Sequence, residues 1–417
     1  ATNHPIDEKI IFDLPTSVGV EFSNALRTVL VEAATASWEF WFGLLEVFKK
    51  REGHCRASQS HKEGGFKLGA WVSNQRTKKA TLPPERLEKL GVKFTKKTEK
   101  GSIIVDETVL ASIALPEAKL LSEYLMLQKR VAQIGSWLEE VKETGRVHGS
   151  VITNGAVTGR ATHSSPNMAQ VPAVGSPFGA ECREMWRVPV GYKQVGVDLS
   201  GIELRCLGHY LNDKEWMDEL LKGDIHWFNA QSFGLVDKGT VKDDNNPEHK
   251  KARNVTKTLT YGVLYGAGAA KAGSIVGGNS SRGKKLIDSF INNTPGLSAL
   301  KKKISRLMAK GHLPALDGRR VWVRSEHAAL NTLLQSAGAI VAKQWLIEST
   351  KLLQEKGINA KLLAFVHDET QWEVREDQAE EAARLIEQAA TKAGEALGFR
   401  CPVDAEGKVG GNWRECH

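Results

Sequence analysis

The fold is constrained most strongly by two short apolar runs, each of which has an aspartate near its end. Residues 194–199 read QVGVDL, and Asp198 stands near the end of that run. Residues 362–374 read LLAFVHDETQWEV, in which a polar triplet containing Asp368 interrupts two apolar stretches. Short apolar runs bounded by turn signals predict buried strands, and the second predicts a hairpin. If both lie in one sheet, two acids separated by 170 positions can meet at its edge.

The paired acids have two interpretations. Two carboxylates held close in a shielded site repel each other, so such a pair implies a bound divalent cation or a shared proton. Oxygen ligands favour Mg²⁺ shared with substrate phosphates. Alternatively, Asp198 caps the following helix, while Asp368 and Glu369 are ordinary turn residues. Taken singly, each acid is explained more simply by this structural alternative.

Residues 253–266, RNVTKTLTYGVLYG, predict a helix with a functional face. Two cations and two aromatic residues recur at four-residue spacing, which places them on nearly one face; they are Arg253, Lys257, Tyr261 and Tyr265. Charges followed by rings suit a nucleoside triphosphate, and no glutamates alternate with them as in ordinary surface ion pairs. Gly262 and Gly266 weaken the helix and suggest that it moves or admits a close neighbour.

Composition and charge narrow the class of protein. The chain has 417 residues, 41% hydrophobic and 25% charged, which suits two or three subdomains with real cores. Its formal charge of +8 favours an anionic partner such as nucleic acid. Five scattered cysteines without a CxxC pair predict reduced thiols in a cytoplasmic compartment. The most apolar early stretch, residues 36–48, is too short to cross a bilayer and predicts a core-facing helix.

Periodicity outlines the remaining organisation. Apolar spacing predicts helices over residues 17–50 and 116–143, which could pair as a stalk. The basic segment between them, residues 49–80, predicts either a solvated loop or a tip that grips phosphates. Further predictions are strands at 147–153 and 156–162, a helix capped by Ser200, an interrupted helical region over 248–348 with breaks at Gly277-Gly278, Pro295 and Pro314, and a helix over 378–397.

Three ordered motifs carry a family resemblance. DLSGIELR (198–205), RNVTKTLTYGVLYG (253–266) and FVHDE (365–369) resemble motifs A, B and C of family A DNA polymerases. Further matches are TGRATHSSPNMAQVP (158–172), GDIH (223–226), LNTLLQSAGA (330–339) and NWRECH (412–417). The chain is most similar to replicative polymerases of short-tailed bacteriophages over about residues 116–417, and its first hundred residues match poorly.

The resemblance implies an α+β, right-hand polymerase fold with a helical thumb, an antiparallel-sheet palm and mostly helical fingers. The expected domains are a thumb with a basic tip (1–146), the first part of the palm (147–212), the fingers (213–325) and the second part of the palm (326–417). No exonuclease domain is expected, because Asp13 in IIFDLP lacks a paired acid two residues on.

The resemblance also implies a metal site. Asp198 and Asp368 would hold two Mg²⁺ ions, for which Mn²⁺ can substitute, with the backbone carbonyl of Leu199 as a further ligand. Glu369 and His367 would support the metal site and the primer end.

Substrate-binding roles follow from the same resemblance. Arg253 and Lys257 would grip the triphosphate near His226, and Lys257 would donate a proton to pyrophosphate. Glu203 would exclude a 2′-hydroxyl, Tyr261 would stack under the incoming sugar, and Tyr265 would occupy the template-base position. Contacts to the minor groove of the primer-template are expected from Arg160, Asn167, Gln170 and Gln335.

These roles predict a DNA polymerase that adds dNTPs to a primer 3′ end and releases pyrophosphate. Glu203 and the HDE triplet favour it over a single-subunit RNA polymerase, and the intact acids and Lys257 favour it over a non-catalytic DNA-binding remnant. The expected partners are primer-template DNA and dNTPs. The chain is expected to be a monomer that does not associate with a membrane. The short 49–80 segment does not favour a thioredoxin-type processivity factor.

Overall fold

The computed structural model describes residues 38–77, 110, 116–294 and 296–417. Contacts divide the chain into two units, residues 1–131 and 132–417. The sequence predictions for Asp13, for the start of the 17–50 helix and for Pro295 lie outside the described residues. No helix within the described ranges is long and apolar enough to cross a membrane. The five cysteines are all described, and no disulfide joins them.

The first unit contains a small helical module. Helix α1 (Trp38–Glu52) packs on α2 (Leu68–Thr77) around buried Leu45, Phe48 and Val72. The core-facing helix is thereby confirmed where it is described. The prediction of a loop over residues 49–80 is wrong for α2, because Leu68 and Val72 stand four residues apart and bury one helical face.

The remaining elements follow in chain order. The helices are α3 (Pro116–Glu139), α4 (Gly179–Glu184), α5 (Ile202–Leu211), α6 (Lys214–Lys222), α7 (Ile225–Phe233), α8 (Pro247–Leu264), α9 (Ala269–Ile275), α10 (Ser280–Asn293), α11 (Leu297–Met308), α12 (Glu326–Glu355) and α13 (Ala379–Ala396). The strands are β1 (Ser150–Ile152), β2 (Thr162–Ser164), β3 (Tyr192–Leu199), β4 (His312–Pro314), β5 (Arg320–Trp322), β6 (Lys361–Val366), β7 (Glu369–Arg375) and β8 (Ala405–Gly410). The helix predicted over 378–397 is confirmed, and so is the 116–143 helix as far as Glu139.

A four-stranded antiparallel sheet organises the second unit. Its strand order is β6-β7-β3-β8, so the two predicted strand regions are neighbours. Burial is confirmed for most of β3 and β7, but it is wrong for β6, an edge strand whose first three residues are exposed. Val195 and Val197 of β3 are buried in the main core. Helices α12 and α13 belong to the same core, and the indole of Trp345 donates to the carbonyl of Ile386 at 2.8 Å. The small residues of α13 allow this close approach and fix the sheet against the helices.

The second strand predicted near residue 156 is wrong. β1 pairs with Thr162–Ser164, and most of residues 156–162 form the connecting loop. Gly159 adopts a φ of +81°, and a Cβ at Gly155 would lie 1.9 Å from Thr162 Oγ1. Both glycines therefore serve a turn rather than a strand.

Two other local predictions need correction. Gly201, with a φ of +56°, precedes α5 and caps it without a side-chain hydrogen bond, so Ser200 is not the cap. Pro314 was expected to interrupt a helical region. It is instead the last residue of β4, which forms a short hairpin with β5. A three-residue strand carries too little periodicity to be recognised in sequence.

Buried His209 of α5 makes stability depend on pH. Its ring stacks on Phe399 with 4.6 Å between centroids, and its Nδ1 accepts from the Arg400 amide at 3.1 Å. Burial, with a contribution from the Arg400 charge, lowers the pKa of His209 to about 4. Between pH about 6.5 and about 4, His209 is therefore protonated more readily in the unfolded chain than in the folded protein. Stability is lost as pH falls through this window.

We expect His209→Gln to reduce this acid sensitivity, because glutamine does not titrate. Denaturant unfolding at several pH values between 4 and 7 measures it, with exposed His148→Gln as the control. Equal pH slopes in the wild type and His209→Gln would contradict the assignment.

Candidate functional site

The β-sheet brings two distant acids together. Antiparallel register pairs Asp198 of β3 with Glu369 of β7, and the amide of Leu199 donates to the carbonyl of Asp368 at 3.0 Å. Asp368 follows His367 in the β6-β7 turn, where His367 has a φ of +59°. The hairpin thus presents one acid at the end of β3, beside the other.

The electrostatics of this pair differ from those of surface acids. Burial, followed by the charges of Asp368, Glu369 and Glu203, raises the pKa of Asp198 to about 8. Burial and the charge of Glu203 raise the pKa of Asp368 to about 6. The neighbouring groups of the protein therefore do not fully balance the negative charge of these carboxylates. A bound cation would stabilise their ionised forms.

Glu369 is buried and held by several groups. Its carboxylate accepts from Gln371 Nε2 at 2.7 Å and from the indole of Trp413, and Arg183 Nη1 lies 3.6 Å away. Although burial alone would raise it, contacts with His417, Trp413 and Arg183 lower the pKa of Glu369. Glu369 therefore stays ionised in a fixed orientation.

One group among the described residues has the geometry of a metal site. Ligand atoms of Asp198, Glu369 and His417 all lie within 4.8 Å of one another. Asp198, Leu199 and His417 also line a cavity of about 250 Å³. The carboxylates near Asp198, whose charges help to raise its pKa, are hard oxygen donors. Such donors fit a divalent cation of the Mg²⁺ type. Asp368 is not in this three-residue group, although it adjoins it.

The predicted cationic helix is α8. Arg253 Nε donates to Asp224 Oδ2 at 2.6 Å, and Lys242 Nζ contacts the same oxygen at 2.8 Å. Although burial opposes it, these contacts lower the pKa of Asp224 to about 2. Lys257 is exposed and makes no ion pair with any described residue.

The aromatic end of α8 faces the acids. Tyr265 donates its hydroxyl to Glu203 Oε1 at 2.8 Å, and Arg160 Nη2 lies 3.7 Å from the same oxygen. The rings of Tyr261 and Tyr265 stack with 6.4 Å between centroids. Burial, with the charges of Glu203 and Asp368, raises the pKa of Tyr261 to about 12. The four predicted face residues therefore remain together, although Tyr265 caps α8 rather than belonging to it.

Gly266 has a simpler role than the sequence indicated. It adopts a φ of +81° directly after the Tyr265 cap. A left-handed residue ends the helix, so the backbone conformation accounts for glycine at this position. A Cβ at Gly262 would make ordinary 3.6 Å contacts with Ala267 and Ile275, so its position is not sterically restricted.

The other predicted site residues make fewer contacts with the two acids and with α8. The His226 ring lies 6.2 Å from that of Tyr261, and burial, with the Arg253 charge, lowers the pKa of His226. Burial also lowers the pKa of His367. Asn167 Oδ1 accepts from the Ala169 amide at 3.1 Å, the exposed Gln170 follows it, and Gln335 is half-buried on α12.

Sequence reasoning gave no role to several groups around Glu369 and Arg253. They are Arg183, Gln371, Trp413, His417, Asp224 and Lys242. The GDIH and NWRECH motifs contain three of them and were the available signal. Arg183 had none, because its pairing with Glu369 depends entirely on the tertiary fold.

Two family models match the chain. The model described as DNA polymerase family A matches residues 81–415, and the one described as helicase associated domain matches residues 35–94. The polymerase match begins at residue 81, so the start of the resemblance expected at about residue 116 is too late.

Curated relatives and a solved structure agree with the first family. The chain is 40% identical to a DNA-directed DNA polymerase of Enterobacteria phage T3 over 376 residues, covering 80% of this chain and 51% of that protein. The corresponding protein of Escherichia phage T7 is 40% identical over 379 residues, with the same coverage. The chain thus spans about half the length of these relatives.

The fold has a solved counterpart. It is similar, with a TM-score of 0.70 and 21% identity, to the POL domain of Pol1 from M. smegmatis in complex with DNA primer-template and dNTP. The match covers 94% of this chain and 66% of that one. This similarity supports the expected right-hand polymerase fold with an antiparallel sheet.

Proposed function

The chain belongs to DNA polymerase family A, and from that membership we propose that it is a template-directed DNA polymerase. It adds dNTPs to a primer 3′ end and releases pyrophosphate. The observation that carries the proposal is the meeting of Asp198 and Asp368 beside Tyr261 of the cationic helix. Primer extension by the purified chain tests it.

Asp198 and Asp368, with the carbonyl of Leu199, would hold two Mg²⁺ or Mn²⁺ ions. Bound there, such ions would activate the primer hydroxyl and neutralise the leaving pyrophosphate. The raised pKa values of both acids support this assignment, because each carboxylate gains from a compensating charge. Glu369, fixed by Trp413 and Arg183, would support the metal site beside the two acids. His367, in the same turn, would support the primer end.

The triphosphate would bind along α8. Lys257 is available to a phosphate, and at about 4 Å one phosphate charge contributes roughly 4 kcal/mol at an effective dielectric near 20. Arg253 is held by Asp224 at 2.6 Å, so its guanidinium is already oriented when the substrate arrives. His226 adds a third polar group near the phosphates. Lys257 also donates the proton that pyrophosphate takes up on leaving.

Glu203 would set the choice of sugar. Its carboxylate is fixed by Tyr265 and Arg160, so it cannot easily move away from a 2′-hydroxyl. Tyr265 would keep the template-base position until the helix closes. The same contacts favour dNTPs over rNTPs.

Four residues would check the geometry of the base pair from the minor groove, where acceptors are common to all correct pairs. They are Arg160, Asn167, Gln170 and Gln335. The Asn167 oxygen is occupied by the Ala169 amide, which leaves the side-chain amide nitrogen as a donor. Donors in these positions detect a mispair without reading sequence.

Tyr261 is expected to favour dideoxynucleotides. Because its pKa is raised to about 12, its phenol stays protonated and can donate a hydrogen bond in place of the missing 3′-hydroxyl. A hydrogen bond to a charged phosphate is worth about 1.5–3 kcal/mol, so Tyr261→Phe should increase discrimination against ddNTPs by about 10- to 100-fold.

Single-nucleotide incorporation with dNTP and ddNTP pairs measures this discrimination. The matched control is Tyr265→Phe, one helical turn away, which should leave the ddNTP/dNTP ratio near that of the wild type. If Tyr261→Phe does not change the ratio, Tyr261 does not contact the nucleotide in this way.

A further inference from the structure

Lys343 of α12 holds a loop that is distant from it in sequence. Its half-buried ammonium donates to the carbonyl oxygen of Gly159 at 2.7 Å and to Asn154 Oδ1 at 2.5 Å. Both acceptors belong to the loop between β1 and β2. The lysine therefore fixes this loop at two points, one on its backbone and one on a side chain.

Ion pairing does not explain a lysine at this position. Among the described residues, Lys343 makes no ion pair, and both of its hydrogen-bond acceptors are neutral. Burial, followed by the charge of Arg319, lowers the pKa of Lys343, although the charge of Asp317 opposes this. The surroundings thus disfavour the ammonium. Its presence is explained by the hydrogen bonds it donates, because a charged donor binds more strongly than a neutral one.

The loop is closed by its own backbone, so Lys343 sets the position of the loop rather than its shape. The Gly159 amide donates to the Ala156 carbonyl at 2.8 Å, and the Ala156 amide donates to the Arg160 carbonyl at 3.1 Å. The carbonyl that Lys343 binds belongs to the peptide bond between Gly159 and Arg160. Lys343 thereby fixes the backbone from which the Arg160 side chain extends.

Arg160 carries this constraint to the candidate site. Its Nη2 lies 3.7 Å from Glu203 Oε1, the oxygen that also accepts from the Tyr265 hydroxyl at 2.8 Å. A side chain keeps a defined position in a site only when the groups behind it are also fixed. The contact between Arg160 and Glu203 therefore depends on the hydrogen bond from Lys343 to the loop.

We propose that Lys343 is a positioning residue for the choice of sugar, because it keeps Arg160 against Glu203. The inference rests on the proposed function, in which Glu203 excludes a 2′-hydroxyl, and it adds a residue that acts only through others. Without Lys343, Arg160 moves away and Glu203 keeps only its hydrogen bond from Tyr265. The carboxylate then turns aside more easily, and rNTPs are rejected less strongly.

The test compares the full chain with Lys343→Met, which keeps an unbranched stem and removes the three donors. The ratio of kcat/KM for dNTP to that for rNTP should fall about tenfold, the effect of one charge-assisted hydrogen bond. Lys343→Arg keeps the charge and the donors and should recover most of this ratio. Asn154→Ala removes one acceptor at an exposed position and should lower the ratio by a smaller factor.

Amide hydrogen exchange provides a second readout that requires no catalysis. Lys343→Met should accelerate exchange in residues 153–161 about tenfold, because the loop opens more often, while β3 should exchange as in the wild type. The matched control is Lys351→Gln, since Lys351 is an exposed lysine further along α12. It should leave both the exchange rates and the dNTP/rNTP ratio at wild-type values.

Unchanged exchange in the loop of Lys343→Met would overturn the inference. Equal losses of activity with dNTP and rNTP in this variant would also overturn it, because they would indicate general damage rather than a change in sugar choice. A wild-type chain that extends no primer would instead contradict only the proposed function, since hydrogen exchange would still decide whether Lys343 holds the loop.

Discussion

Replacing Asp198 or Asp368 by Asn is expected to reduce kcat for primer extension at least about 10³-fold. Each substitution keeps the side-chain shape and removes a carboxylate that the catalytic cations require. Burial and the neighbouring acids raise both pKa values, so a neutral amide does not remove a stabilising charge in the metal-free protein. The loss should therefore appear in activity and not in the unfolding midpoint.

Steady-state extension of a primed template, together with thermal unfolding, separates these effects. Asp377→Asn is the control, because Asp377 is an exposed acid beyond the far end of β7. Activity within tenfold of wild type in either active-site variant would show that the two acids do not hold the catalytic cations.

The second large effect is expected at Lys257. Lys257→Gln removes both a phosphate contact and a proton donor, so kcat should fall by about 10²- to 10⁴-fold. Lys257→Arg keeps the positive charge but holds its proton more tightly. It should restore KM for dNTP more fully than kcat.

Steady-state incorporation over a range of dNTP concentrations gives both constants. Lys251→Gln is the matched control, since Lys251 is an exposed lysine on the same helix. If Lys257→Arg recovers kcat completely, Lys257 acts only as a charge; if Lys257→Gln is fully active, it takes no part in the reaction.

The sheet and the acid pair were predictable because their signals are local. β6 is a nearly continuous apolar run and β3 contains a shorter one, and Asp198 and Asp368 stand near the ends of these runs. The helical face of α8 was predictable from four-residue spacing alone. The family resemblance then supplied the roles that spacing cannot give.

The surroundings of the acids were not predictable in the same way. The contact between Arg183 and Glu369 joins residues far apart in sequence, and neither lies in a pattern that indicates the other. The pairing of Arg253 with Asp224 likewise depends on how α7 packs on α8. The predicted loop that contains α2 failed because a ten-residue helix with only two buried apolar positions leaves a weak periodic signal.

The most direct test of the central claim is primer extension by the purified chain on a defined template, with and without Mg²⁺. Four reactions each contain one dNTP, and a parallel set contains rNTPs. The account predicts Mg²⁺-dependent addition of the dNTP complementary to the first template base, little addition of the others, and poor use of rNTPs. Incorporation that ignores the template, proceeds without a divalent cation or prefers rNTPs would contradict it.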